Sequence, residues 1–467
     1  MDRIGAKMLE PENLKITYIG GGSRSWARVL MSDLAKEKAL SGEVRLYDID
    51  YEAARVNAAI GNALSARDDV PGKWRYLCFS DLEEALTGAD VVVISILPGT
   101  LDEMESDVHA PEKFGIYQSV GDTTGPGGIV RGLRTVPMYA VFAEAIKRTC
   151  PGAWVINYTN PMAIALKTLY TVFPAIKAFG CCHEVFSTQD LLGEVIGRKK
   201  EEIYTNVVGV NHFTFITKAT CDGCDIFPAY QRFVDKNYNS GYLRTGGEPF
   251  PESYFGCLNK VKFDLFKKTG AIAAAGDRHL AEFCPKNWYL KNEAQANSWG
   301  FNLTPVSYRK ADLKERLLKT QKIYSQEEPF TVDITGEEGV RIIKALVLGD
   351  EMVTNLNLPN NGQIDGLSLG GIVESNAKIG KGYIQPVHAG GVPTPVRPHM
   401  EKALALQELV VKSALTGDYE LAFVAFCNDN LNDLTLQDSR KLFDKMLENT
   451  KAYLPSYDKY IAKRRLP

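Results

Sequence analysis

Three consecutive glycines constrain this chain more than any other feature. Leu14 to Ile19 alternates as a strand does, and Gly20-Gly21-Gly22 ends it before Ser23-Arg24-Ser25. The segment that follows carries Trp26, Val29, Leu30 and Leu34 at helical spacing. A strand that turns through glycine straight into a helix brings backbone N–H groups and a helix N-terminus to one point, which suits a phosphate. Val44 to Asp48 reads as a second strand ending in an acid. That acid is placed to accept hydrogen bonds from ribose hydroxyls. The candidate cofactor residues are therefore Gly20, Gly21, Gly22, Ser23 and Asp48, and the acid favours NAD over NADP. Arg45 nearby tempers the preference against a 2′-phosphate, and the competing reading is a glycine turn with no ligand.

Strand and helix alternate onward from this point. Asp81 to Leu86 is helical and stops at Gly88, and Val91 to Ile96 is an apolar run suited to a parallel strand buried on both faces. Pro137 is expected to open a helix over Met138 to Arg148, with Pro151-Gly152 closing it. Ala153 to Tyr158 reads as a strand, Asn160-Pro161 as an N-cap with proline at the first helical position, and Ile176 to Cys181 as a strand. Ser187 and Asp190 look like a capping-box start for the next helix. The fold class is α/β: a Rossmann-type doubly wound parallel sheet plus an α+β substrate domain. The rhythm changes past about residue 200, where Tyr204 to Val210 is one more strand and Asp222-Gly223 marks a hairpin. The expected organisation is a mobile tail over 1–12, the NAD-binding domain over 13–195, and a substrate- and metal-binding C-terminal domain over 196–467.

At 467 residues the chain is long enough for two full cores. A net charge of −3 leaves no basic footprint for nucleic acid. No apolar run reaches the ~20 residues that span a bilayer, and nothing resembles a signal peptide. Nine cysteines, an odd and scattered set, suggest free thiols in a reducing cytoplasm.

Cys182 and His212 each follow a predicted strand. A thiolate with an imidazole suits one divalent metal and leaves coordination positions open, as catalytic sites do. The same two residues also read as a buried cysteine and a core histidine. Cys221-x-x-Cys224 has no second pair at zinc spacing, and its Asp-Gly centre suits a turn.

Larger motifs connect these points. Gly125-Pro126-Gly127-Gly128 is followed by Arg131 and Arg134. Asn157-Tyr158-Thr159-Asn160-Pro161, Cys182-His183-Glu184 and Gly209-Val210-Asn211-His212 come next. Asn355 to Gly366 and Val373-Glu374 complete the set. With the Ile-Gly-Gly-Gly-Ser start, these stretches resemble glycoside hydrolase family 4, the NAD- and metal-dependent glycosidases, from Lys15 to about Asp433. The resemblance implies a fold like that of lactate and malate dehydrogenases. It also implies a redox-assisted elimination: hydride leaves the sugar C3 for NAD, and a metal, commonly manganese, holds the C2 and C3 oxygens. A base takes the C2 proton, the aglycone leaves from C1, water adds and the hydride returns.

The roles implied by the resemblance are as follows. Cys182 and His212 hold the metal, Mn2+ or another divalent ion. His183 is the general acid, with Glu184 as a sugar contact or alternative acid. Asn157, Asn160, Asn211 and Arg278 are further substrate residues, although a helix cap serves Asn160 equally well. Asp277, in Gly276-Asp277-Arg278-His279, is the expected base, with His279 second. Cys182-His183-Glu184-Val185 looks most like the subgroup acting on α-galacturonides. A uronate needs a cation, and Arg131, Arg134, Arg278, Lys381 and Arg397 are available. The expected function is an intracellular α-galacturonidase with a small-molecule sugar substrate, working as a homodimer or homotetramer. The alternatives are an α-glucuronidase, α-galactosidase or α-glucosidase of the same family, a 2-hydroxy-acid dehydrogenase with net turnover of NAD, and a nucleotide-sensing protein without chemistry.

Overall fold

The computed structural model describes residues 9–333 and 335–463. Six strands come first: β1 (Leu14–Ile19), β2 (Gly42–Tyr47), β3 (Trp74–Phe79), β4 (Val91–Ile94), β5 (Trp154–Asn157) and β6 (Lys177–Gly180). They pair in parallel in the spatial order β3-β2-β1-β4-β5-β6, the doubly wound dinucleotide-binding order. All four residues of β4 are buried, which explains its unbroken apolar run. The order reverses direction between β1 and β4, and ligands of such sheets bind beyond the carboxyl ends of the strands at that point.

The second half builds β7 (Ile203–Val210), β8 (Phe213–Cys221), β9 (Cys224–Asp225) and β10 (Ile272–Ala273) into a smaller antiparallel sheet. It then supplies β11 (Met352–Pro359), β12 (Ile364–Asp365), β13 (Ile372–Gly380), β14 (Tyr383–Pro386) and β15 (Gly390–Gly391). Strands β11, β13 and β14 extend the first sheet to nine strands, with β11 lying antiparallel to β6 through Asn357 and Gly180. Residues beyond 196 thus complete the sheet that the first domain begins. One large core reinforces this union, joining Ile129 and Leu133 of the helix Gly125–Thr149 to Val410 and Val411 of the helix Arg397–Thr416.

Several local expectations differ from the structure. The helix expected at Pro137 begins at Gly125 and runs through Pro137 to Thr149. Proline removes one helical donor there, but residues 125–136 are buried throughout, and tertiary packing holds the helix across the gap. Ser187 lies inside the helix Glu184–Ile196, its hydroxyl donating to the Glu184 carbonyl, so it starts nothing. The helix Met162–Val172 has no side-chain cap, and Asn160 instead points at Asp122 across a cis Asn160–Pro161 peptide. Residues 1–8 of the expected tail lie outside the described residues. Residues 9–12 are anchored: Leu9 packs on the core and Ser41 N–H donates to the Pro11 carbonyl at 2.8 Å. The Asp222-Gly223 turn joins β8 to β9 with both residues at positive φ, and it pairs Cys221 with Cys224 across the hairpin. All nine cysteines are free. Among the described residues, no helix is long and apolar enough to cross a membrane.

Candidate active site

The carboxyl edge of the parallel sheet carries two centres. At the first, the chain leaves β1 through Gly20 at φ +97°, where a Cβ would stand 2.0 Å from the Ser95 carbonyl oxygen. Only glycine fits both the angle and the approach. At Gly22 a Cβ would meet the Asp48 carboxylate at 2.8 Å, and Gly22 N–H donates to that carboxylate at 2.8 Å. Asp48 is thereby fixed at the end of β2, its other oxygen accepting from Asp50 N–H. Buried Asn57 holds the turn from beneath, donating to the Gly21 and Ser23 carbonyls at 2.8 Å each. No side chain caps the following helix, Trp26–Lys36, which leaves its first turn for an anion. Arg45 is committed to Glu43 and the Thr87 carbonyl, which removes the expected objection from that residue to NAD. The turn, the acid and the uncapped helix fit a dinucleotide.

The second centre lies beyond β5, β6 and β7. His212, at positive φ 66°, follows β7 in the turn to β8. The two-residue turn between Val210 and Phe213 calls for positive φ, and it fixes the direction of the His212 ring. Its Nδ1 lies 2.9 Å from the Thr123 hydroxyl, and that hydroxyl donates to Asp122 Oδ1 at 2.8 Å. The hydroxyl has one proton, which goes to the carboxylate, so it accepts from Nδ1–H. His212 therefore presents a bare Nε2. Burial, then the neighbouring His279, bring the His212 imidazole down to about 3, so it is neutral at physiological pH. The His279 ring packs on it at 3.8 Å between centroids, and ligand atoms of Asp122, His212 and His279 all lie within 4.8 Å of one another.

Carboxylates surround this pair. Glu184 accepts from Gly276 N–H at 2.6 Å and faces His279 Nε2 at 3.8 Å. Burial raises the Glu184 carboxyl, but His279, His212 and His183 outweigh it and bring the group down to about 2. Asp122 is held well below the usual carboxylate range: burial opposes this, and His279, Arg131 and His212 prevail. Glu374 on β13 is buried and accepts from Asn355 at 2.7 Å, Asn357 at 3.0 Å and Asn211 at 3.3 Å. Asn355 also donates to the Cys182 carbonyl at 3.4 Å. Cys182 is buried beside Asn211, and burial, then Glu374 and Glu184, push its thiol well above the ordinary value. Cys182 does not join the compact Asp122–His212–His279 group. The donor set fits a divalent cation: a neutral imidazole with a bare nitrogen, a thiol and three carboxyl groups close by. His183 caps the helix Glu184–Ile196 on the side toward the nucleotide turn, 6.2 Å from the Trp26 ring. Its Nδ1 lies 3.3 Å from Glu337, which lifts the imidazole to about 9.

Three buried atoms at this centre lack a hydrogen-bond partner among the described residues: Asn160 Oδ1, Asn211 Oδ1 and His279 Nδ1. Buried polar atoms are almost always paired, so three orphans converging on one place mark where a polar ligand belongs.

Other expected residues stand apart. Asn157 is fully buried, accepting from the Tyr139 hydroxyl and Thr159 N–H and donating to the Thr159 carbonyl, so it offers no surface to a sugar. Asp277 is also fully buried. Its two oxygens accept from the Val261 and Lys262 N–H groups at the start of the helix Lys260–Thr269, which makes it a helix-end support. Its neighbour His279 is the one that faces the cluster. Arg134 is fully buried in a two-pronged pair with Asp107, Lys381 is exposed in the β13–β14 turn, and Arg397 lies against Gly366. Sequence reasoning missed Asp122, Thr123 and Asn57, and it quoted the stretches holding Asn355, Asn357 and Glu374 as motifs without giving these residues a role. Asn355 and Asn357 had a signal: two amides at period two in an otherwise apolar strand need a shared buried partner.

The chain matches the model of the family 4 glycosyl hydrolases over residues 15–198 and that of their C-terminal domain over residues 207–432. The chain belongs to the family 4 glycosyl hydrolases. It is 54% identical to an α-galacturonidase of Thermoanaerobacterium saccharolyticum over 95% of this chain and 97% of that one. A crystal structure from Bacillus subtilis, described as that of a glucosidase, superposes with a TM-score of 0.89 at 50% identity, covering 93% of this chain and 100% of the other. A 6-phospho-α-glucosidase from gut microorganisms, in complex with NAD and Mn2+, gives a TM-score of 0.81 at 19% identity over 95% and 99% of the two chains, a likeness of fold. The family that the sequence motifs resemble is thus the family of this chain, and the doubly wound α/β reading holds.

Proposed function

We propose that this family 4 enzyme hydrolyses α-galacturonides by transient oxidation of the sugar, using NAD and a divalent metal, Mn2+ foremost. The observation that carries the choice of sugar is the 54% identity to an α-galacturonidase across 97% of that protein. The redox route is supported by the nucleotide turn after β1 and Cys182 and Glu184 after β6 of the same parallel sheet, with Glu184 facing His279 of the cluster. NAD supplies a reversible hydride acceptor for the sugar C3 carbon, and the metal supplies positive charge that makes a C2 proton beside an oxidised carbon easier to remove.

The chain's own side chains do the rest. His212, through Nε2, and Cys182 hold the metal, and Glu374 with its three asparagines keeps the Cys182–Asn211 region in place. Asn160 and Asn211 orient sugar hydroxyls with their unpaired oxygens. His279, kept neutral by burial despite Glu184 and Asp122, takes the C2 proton. This moves the base from Asp277 to the histidine two residues on. His183, protonated at neutral pH through Glu337, gives a proton to the leaving glycosidic oxygen. The enzyme acts in the cytoplasm, where its nine free thiols are kept reduced, as a homodimer or homotetramer.

The test is release of p-nitrophenol from the α-galacturonide and the α-glucoside with Mn2+ and a reductant, with and without NAD. Cleavage of the galacturonide alone, and only with NAD and metal, is expected. Cleavage of the glucoside instead would overturn the sugar, and steady NADH accumulation on a hydroxy acid would overturn the hydrolase. The acid has its own prediction. His183→Gln is expected to cut kcat/KM on a disaccharide by about 10²–10⁴-fold while costing far less on the p-nitrophenyl glycoside, whose leaving group needs no proton. Equal losses on both substrates would exclude His183 as the acid.

A further inference from the structure

Beside the histidine cluster lie three guanidinium groups that the protein itself leaves largely unneutralised. Arg131 is only 5% exposed, yet the one hydrogen bond of its side chain among the described residues runs from Nε to the Asn160 carbonyl at 3.0 Å. Arg278, next to His279, donates to the Ser119 carbonyl at 3.3 Å and to the Thr304 hydroxyl, while its Nε is buried without a partner. Thr304 N–H in turn donates to the Ser119 carbonyl, so the chain entering the helix Val306–Tyr324 is tied to Arg278. Arg309 stands in the first turn of that helix, half-buried, with no hydrogen bond or ion pair among the described residues. Tyr308 beside it packs on Tyr254 and Phe255, and Phe255 lies 5.0 Å beneath the Arg278 guanidinium. Tyr254 and Phe255 are exposed, so this aromatic group opens to solvent.

The charges feel one another. Burial, and next Arg309, lower the Arg278 guanidinium below its ordinary value, with Glu184 and Glu282 opposing. Arg131 is lowered by burial, with Arg134 and Arg309 adding to it against Asp122 and Asp107. The nearby acids have other duties. Asp107 is bound to Arg134, Asp122 to Thr123 and Asn160, and Glu184 to Gly276. Glu282 accepts from the Val120 and Gly121 N–H groups, and burial raises it to about 7. One buried cation and two half-buried ones, with spare N–H donors and no dedicated counter-ion, are costly for a protein to keep without an anionic ligand.

We propose that Arg131, Arg278 and Arg309 form the subsite for the C6 carboxylate of the sugar whose glycosidic bond is broken. This rests on the galacturonide reading and names the residues that enforce it. A carboxylate presents two oxygens to guanidinium forks and relieves their mutual repulsion. A neutral hydroxymethyl group leaves the cations buried and unpaired, so the cluster selects acid over neutral hexoside as much by penalty as by attraction. Lys381 and Arg397 have no part in it.

The test is a two-by-two comparison of wild type and Arg309→Gln on p-nitrophenyl α-galacturonide and p-nitrophenyl α-galactoside, with NAD affinity followed by fluorescence as a check on folding. The aryl leaving group carries no carboxylate, so only the glycone's is probed. Removing a half-buried cation that hydrogen-bonds a carboxylate predicts that wild-type preference for the acid over the neutral sugar, as the ratio of kcat/KM, shrinks about tenfold in the variant. NAD affinity is expected to stay within twofold. Arg278→Gln, made in parallel, is expected to shrink the ratio in the same direction. A ratio within threefold of wild type in both variants would overturn the subsite, as would losses that appear only with a digalacturonide, whose leaving sugar is also acidic. A wild type that cleaves the galactoside and not the galacturonide would overturn the function itself before any variant is compared.

Discussion

His212→Ala is expected to lower kcat/KM on the galacturonide by about three to four orders of magnitude, since a lost catalytic metal removes several kcal/mol of charge stabilisation at about 1.4 kcal/mol per decade. The ring is held from behind. Its Nδ1 proton goes to Thr123, whose own proton goes to Asp122, and the tight turn between β7 and β8 fixes the backbone that carries it. Burial keeps the ring neutral, which a ligand must be. Alanine removes the metal-facing nitrogen, and Thr123 keeps its bond to Asp122. NAD affinity should survive, because the glycine turn and Asp48 belong to a different part of the sheet edge. Excess Mn2+ should recover only part of the loss. A milder probe, Thr123→Val, removes only the orienting hydroxyl and is expected to weaken metal affinity about 10–100-fold. Isothermal titration with Mn2+ and steady-state kinetics check both variants. An alanine variant within tenfold of wild type would mean that His212 is not a ligand.

The second large effect concerns stability. Arg134 and Asp107 are both fully buried and meet through two parallel bonds of 2.9 and 2.6 Å. Burial raises the Asp107 carboxyl and Arg134 opposes it, so the acid depends on its partner to stay ionised. Arg134→Met keeps the volume and leaves a buried, unpaired carboxylate, which is expected to destabilise the fold by about 3–5 kcal/mol. Changing both partners, Arg134→Met with Asp107→Leu, should return most of that loss, since two apolar groups need no pairing. Urea denaturation measures both. The pair joins the helix Leu101–His109 to the helix Gly125–Thr149, and between them runs the segment bearing Asp122 and Thr123. Gln118 braces that segment, donating to the Asp107 carbonyl at 2.7 Å and accepting from Gly127 N–H at 2.9 Å. Loss of the ion pair should therefore also loosen the support of His212. A single variant as stable as wild type would show that the pair carries no such load.

The parts legible in the sequence were those fixed by local rules. The strand into Gly20, the strand before Asp48 and the Asp222-Gly223 hairpin follow from period, glycine and turn chemistry, and each stands where expected. Capping rules failed where tertiary contacts prevailed. Asn160 has the right neighbours for a cap but faces Asp122, and Pro137 has the right neighbours for a helix start but sits within a buried helix. The addition of β11, β13 and β14 to the first sheet was not legible, because strand pairing across more than 150 residues leaves no local mark. The same distance hid Glu374, which meets Asn211 and the Cys182 segment only after β11 has docked on β6. Asp277 and His279, two residues apart, show the limit on assigning roles: both suit a general base by type, and only burial and direction separate them.

The central claim is that cleavage passes through removal of the C2 proton. The most direct test is turnover of p-nitrophenyl α-galacturonide in D2O with NAD and Mn2+, followed by NMR of the released galacturonate. Deuterium at C2 at each turnover, with no net NADH, is expected. Product with protium retained at C2 would mean direct displacement at C1, and would contradict the account.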